Sequence, residues 1–201
     1  KDGTASWIKA DGAWSFHPDQ ASVDVAILEA GIPEILDHMA ISHSLCIDEK
    51  KLTENEVGLG DEVFVVGLFK HHTGERRNIP IVRVGNLAAM AEEKVGTRQF
   101  GLMDAYLVEA RSIGGLSGSA VFLNLGVVRA IGGQVKTATS GTMFFLLGLI
   151  HGHFDVQSTA MDAAESDSAD SVSTEKINTG IAIVVPMHTI FEAIDAYNSA
   201  R

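Results

Sequence analysis

A serine held between glycines and followed by an apolar run is the part of this chain best suited to chemistry: Gly115-Leu116-Ser117-Gly118-Ser119-Ala120-Val121-Phe122. Glycine lacks the Cβ that blocks a strained turn, so such a turn can expose the Ser117 hydroxyl and aim the N–H groups of Gly115 and Ser117 at one point. Converging donors of that kind form an oxyanion hole, and a hydroxyl beside them can act as a nucleophile on a carbonyl. Read alone, Gly115 to Ser119 is also an ordinary flexible turn. The residues after it decide what sort of scaffold carries it. An α/β-hydrolase elbow has glycine two places beyond its serine and then a helix. Here that place is Ser119, and residues 120–128 are apolar, β-branched and punctuated by Gly126, the pattern of a strand entering a turn.

With these neighbours the sequence resembles the trypsin-like peptidases of the chymotrypsin fold, in their disulfide-free bacterial form. The matching pieces run in the family's order. Ser22-Val23-Asp24-Val25-Ala26-Ile27-Leu28 is similar to its Asp-x-Ala-x-Leu strand. Gly60 to Gly67 followed by Ile81 to Ala88 is similar to the passage from its first barrel to its second. Leu147-Gly148-Leu149-Ile150-His151-Gly152-His153 is similar to the strand that pairs with substrate backbone, and Asn178 to Pro186 to the last strand before a terminal helix. The resemblance implies an all-β, two-barrel chymotrypsin-like fold with its first barrel incomplete and a C-terminal helix. It divides the chain into 1–75, the remainder of the N-terminal barrel; 76–185, the C-terminal barrel; and 186–201, the helix. It implies a serine endopeptidase with Ser117 as nucleophile, Asp24 as triad carboxylate, an oxyanion hole from Gly115 and Ser117, a polypeptide substrate and no cofactor.

The family's triad runs His, Asp, Ser, with the histidine roughly forty residues before the aspartate. Only His17 precedes Asp24 here, seven positions ahead, which is too short a path across an active site. His17 therefore reads as structural, beside the Pro18 turn. His38, His43, His71 and His72 fall in connections after Asp24 and read as solvent-facing. The chain is expected to lack its first strands and the loop carrying the catalytic histidine, with that segment as a possible separate partner chain. By itself it should then be nearly inert. A different class of reading stays open: a non-catalytic trypsin-like domain that binds a peptide or protein in the former cleft. An esterase or a self-processing enzyme would use the same acyl chemistry.

The resemblance also outlines a substrate pocket from the residues before Gly115, from His151, Gly152 and His153, and from Thr179 and Gly180. Arg111 lies near the pocket floor and would favour an acidic substrate side chain, unless it is bridged to a carboxylate such as Glu109. On a regular strand the rings of His151 and His153 share a face, yet a third metal ligand is lacking, and no CxxC, HExxH or EF-hand spacing occurs; no metal site is expected.

Composition sets the outer limits. With 201 residues and 46% apolar content the chain can bury a core. A net charge of -11 opposes phosphate-backbone binding, and the basic knot of residues 70–77 reads as a loop tip. The longest apolar run, Met143 to Ile150, is too short to span a bilayer, so no membrane partner is expected and the chain reads as soluble. The lone Cys46 allows no internal disulfide, is compatible with a cytoplasmic or other reducing compartment, and reads as a small buried apolar residue. A leader removed earlier stays compatible with this.

These residues have to be positioned by short strands. Asp11-Gly12 supplies a hairpin turn within residues 7–14. Strands are expected near 23–29, 62–68, 80–89, 100–110, 119–123, 127–132, 142–151 and 180–185. Pro186 opens a helix, because its missing N–H is not needed there, and Met187, Ile190, Phe191, Ile194 and Tyr197 give that helix its apolar stripe. Residues 157–176 are rich in Ser, Ala, Asp and Glu and cannot offset their ordering entropy, which predicts a mobile acidic loop, either a substrate gate or a neutral insertion.

Overall fold

Strict alternation over Glu62–Leu68 (β3) sends Val63 and Val65 inward and Phe64 and Val66 outward, and this side-chain period organises the rest of the molecule. The computed structural model describes residues 12–34, 36–68, 74, 78–97, 99–110, 115–138, 143–159 and 174–201, with the backbone alone over 155–159 and 174–178. The expected hairpin up to residue 11, the basic stretch 70–77 apart from Gly74, and Arg111 lie outside the described residues.

β3 pairs with Pro80–Ala89 (β4) on one side and Ala120–Gly126 (β8) on the other. β4 continues to Tyr106–Glu109 (β7), β7 to Thr174–Pro186 (β12), and β12 to Met143–Thr159 (β11), which returns to β8. Six antiparallel strands thus close into a barrel. Closure leaves none of them with an unpaired edge. The interior is filled by Val63, Leu87, Val108, Val121, Leu123, Leu147 and Val184, all essentially inaccessible. Each such side chain contributes about 1.5–3 kcal/mol by leaving water. Besides a ribbon ahead of β3, the described residues form two more outside the barrel: Val95–Thr97 (β5) with Gly101–Met103 (β6), and Val128–Ile131 (β9) with Gln134–Thr137 (β10).

The expected strands 62–68 and 80–89 agree to the residue, whereas the expected 100–110 is split into Gly101–Met103 and Tyr106–Glu109, which belong to different sheets. Because β3 is a stave of the barrel, the barrel begins at Glu62 rather than beyond the boundary expected at residue 75. Ahead of it, among the described residues, Ser15–Phe16 (β1) pairs with Ala26–Ile27 (β2), which is shorter than the expected 23–29. One further bond, His17 N–H to Val25 O at 3.0 Å, continues that ribbon, and Val23 N–H to Asp19 O at 3.1 Å closes the turn between its two arms. The acidic loop is narrower than expected at both ends, since β11 and β12 keep their ladder out to Thr159 opposite Thr174. The remainder, 160–173, lies outside the described residues.

Among the described residues two α-helices accompany the barrel. Met187–Ser199 (α2) follows Pro186 as expected and buries Met187, Ile190 and Ala193. Glu49–Glu54 (α1) was not expected: it is too short to show an apolar period, and its start is fixed by the Asp48 carboxylate accepting from Lys51 N–H at 2.7 Å. Just before it, buried Cys46 bridges to Leu146 of β11, and burial pushes its thiol up from the ordinary value, the behaviour of a packing residue.

Arg129 on β9 clamps the connection from α1 to β3. Its guanidinium donates to both carboxylate oxygens of Asp61, at 2.6 and 2.8 Å, and to the carbonyls of Asn55 and Glu56, each at 2.6 Å. Both charged side chains are 16% exposed. Arg129→Ala strands Asp61 and two carbonyls, so urea unfolding is expected to report a loss of about 3 kcal/mol; a change below about 0.5 kcal/mol would mean that the clamp is idle. No helix among the described residues is long and apolar enough to cross a membrane.

Candidate functional site

Ser117 occupies the tight connection that runs straight into β8. Gly115 and Gly118 hold φ angles of 105° and 80°, in the region where a Cβ costs about 1–2 kcal/mol. Leu116 turns inward and is buried, whereas Ser117 is exposed. The turn is laced to β11: Gly118 N–H donates to Ile150 O at 2.7 Å, and Ile150 N–H donates back to Ser119 O at 2.9 Å. A further bond, Ser119 N–H to Leu116 O at 2.9 Å, closes the turn on itself. Gly67 of β3 lies directly under it; a Cβ there would run into the Ser119 side chain and Leu116. The glycines around Ser117 thus have a steric role, and the hydroxyl is held on a rigid support.

β11 carries a bulge at this point. Ile150 pairs with Val184 and Gly152 with Ile183, so His151 is an extra residue with no opposite number. A bulge interrupts alternation and re-aims a side chain. His151 and His153 therefore do not occupy successive same-face positions of a regular strand, as the sequence pattern had suggested. The His151 ring packs edge-on to Phe100, with centroids 5.4 Å apart, and its Nδ1 lies 2.7 Å from Asp24 Oδ2. A carboxylate can only accept, so Nδ1–H donates to Asp24. The ring side chain is 10% exposed, but that of Asp24 is 49% exposed. One side of the carboxylate thus faces a covered ring, and much of the rest is open.

Ser117 meets the same residue. Its hydroxyl donates to the main-chain carbonyl of His151 at 3.0 Å. Nucleophile candidate and carboxylate candidate, far apart in sequence, are therefore brought to one place, joined through the carbonyl and the ring of His151.

Asp24 is held there from both directions. Val25 is in the core, and His17, 6% exposed, accepts from Asp19 N–H through Nδ1 at 3.1 Å. That acceptance puts the ring proton on Nε2, 3.2 Å from Glu192 Oε2 on α2. His17 is thus a structural tie between the Asp24 segment and the terminal helix. His43 stacks on Phe191 with centroids 4.4 Å apart, and His38 bonds to its near neighbour Leu36 O at 3.2 Å. His71 and His72 lie outside the described residues.

Of the remaining expected site residues, Gly152, His153, Thr179 and Gly180 lie along the middle of β11. Gly152 and His153 continue the strand past the bulge, opposite Ile183 and Ala182. Thr179 Oγ1 donates to Phe154 O at 2.8 Å, and Gly180 O accepts from Ala110 N–H at 2.9 Å, with Gly180 at φ 80°. This draws the 179–180 corner against the strand that leads toward Arg111. The role of the His151 ring was missed at the sequence level. It had been grouped with the pocket residues, and only the register shift sends it to Asp24. Among the described residues no three His, Cys, Asp or Glu side chains gather as a metal-holding set. Comparison of the chain with family models, with curated proteins and with solved structures finds no match.

Proposed function

We propose that this chain carries the nucleophile and the carboxylate of a serine endopeptidase of the trypsin-like, two-barrel type. The observation that supports it most is the convergence on His151, whose carbonyl takes the Ser117 hydroxyl and whose ring takes Asp24. An exposed serine on a turn with two positive-φ glycines, beside a carboxylate with one side open, suits acyl transfer once an imidazole joins them.

In this reading the imidazole comes from a segment outside these residues and rests on the open side of Asp24. It removes the Ser117 proton as Oγ attacks the substrate amide carbonyl. The tetrahedral oxyanion is held by the N–H groups of Gly115 and Ser117; losing one such donor costs about 2.7–4 kcal/mol in a well-studied case. Collapse expels the amine, which takes the proton from the imidazolium, and leaves an acyl group on Ser117. Water, deprotonated by the same ring, then releases the acid. Substrate backbone would lie along His151, Gly152 and His153, with Thr179 and Gly180 at its flank and Arg111 available to an acidic side chain.

The test is a rapid-mixing assay of the full-length polypeptide with a p-nitrophenyl ester. The reading predicts a burst of nitrophenolate equal to the enzyme concentration, followed by slower turnover, because the acyl-enzyme accumulates. Linear release that is unchanged in Ser117→Ala would refute it.

A further inference from the structure

We infer that His151 is a positioning residue, which fixes Asp24 with its ring and the Ser117 hydroxyl with its carbonyl. The inference rests on the serine-peptidase reading above and deepens it. An exposed carboxylate on a segment with little strand pairing has freedom to rotate, and a rotating carboxylate holds an imidazole poorly. The bulge in β11 removes that freedom. It brings a covered ring, backed by Phe100, to within 2.7 Å of Asp24 Oδ2, and so commits one oxygen while 49% of the side chain stays exposed. The same residue's carbonyl accepts a hydrogen bond from the Ser117 hydroxyl at 3.0 Å, on a strand already laced to the serine turn through Ile150. His151 is assigned no proton transfer, because the Ser117 hydroxyl meets its main-chain carbonyl rather than its ring.

Two arms test this. In the first, the 201-residue chain with labelled histidines is examined by NMR for a slowly exchanging ring N–H assigned to His151. It is expected in the wild type and lost in Asp24→Leu. Its absence, or its persistence in Asp24→Leu, overturns the contact.

The second arm is turnover by the full-length polypeptide. Displacing a reacting group by about 1 Å can cost about a hundredfold, so His151→Leu is expected to lower kcat by about that factor with KM nearly unchanged. His151→Asn, whose amide nitrogen stands near the lost Nδ1, is expected to recover most of the rate. Equal rates in the two variants, or losses confined to KM and thermal stability, overturn the positioning role. If the wild type shows no Ser117-dependent turnover, the peptidase reading falls and the catalytic part of the inference falls with it. The NMR arm then still separates a wrong function from a wrong contact.

Discussion

Ser117→Ala is expected to lower kcat for peptide cleavage by the full-length polypeptide about a millionfold, leaving about a thousand- to ten-thousandfold over water from binding and the oxyanion hole. The size of the loss follows from the chemistry. Without Oγ no acyl-enzyme forms, and a water held in its place lacks the fixed approach to the carbonyl. The hydroxyl is exposed and, among the described residues, bonded to the His151 carbonyl alone, so its removal should leave the fold intact. Thermal unfolding of the variant should match the wild type while a quenched fluorescent peptide remains uncut. Cleavage within tenfold of the wild type would mean that the nucleophile lies elsewhere.

Asp24→Asn is expected to lower kcat about ten-thousandfold with KM little changed. The carboxylate has two tasks: it holds the imidazole in the tautomer that accepts the serine proton, and it stabilises the imidazolium that forms. An amide can still accept from His151 through its oxygen, but it then turns an N–H toward the incoming ring and selects the wrong tautomer. The geometry that makes this substitution informative is the open side of Asp24, 49% of whose side chain is exposed opposite a nearly covered His151 ring. A loss below about a hundredfold would place the carboxylate outside the reaction, since a true triad aspartate costs at least that much more.

How much of this could be read from residues alone depended on the range of the interactions. β3 and β4 were legible because short β-branched, apolar runs bounded by turn residues are a local signal, seven and ten residues long here. Pro186 and the apolar steps after it marked α2 for the same reason. The Ser117 turn was legible from its glycines, whose positive φ angles and whose neighbour Gly67 match what an exposed hydroxyl on a tight turn requires. α1 escaped because six residues give no period, and β2 fell short because its partner β1 gives way to the turn closed by Val23 N–H on Asp19 O. The contact between His151 and Asp24 was illegible for a different reason. It joins residues 127 positions apart through a one-residue bulge, and nothing in the string Ile150-His151-Gly152-His153 announces that the ladder slips there. Register shifts arise from how two strands meet, and sequence periodicity carries no trace of the partner.

The central claim is that Ser117 is an activated nucleophile, and covalent labelling tests it most directly. The full-length polypeptide is treated with a fluorophosphonate, digested, and the adduct mapped by mass spectrometry. The account predicts one adduct per chain, on the Ser117 hydroxyl, lost in Ser117→Ala and strongly reduced in Asp24→Asn. An unlabelled protein, or an adduct on Ser119 with Ser117 untouched, would contradict it and would favour a cleft that binds peptides without cutting them.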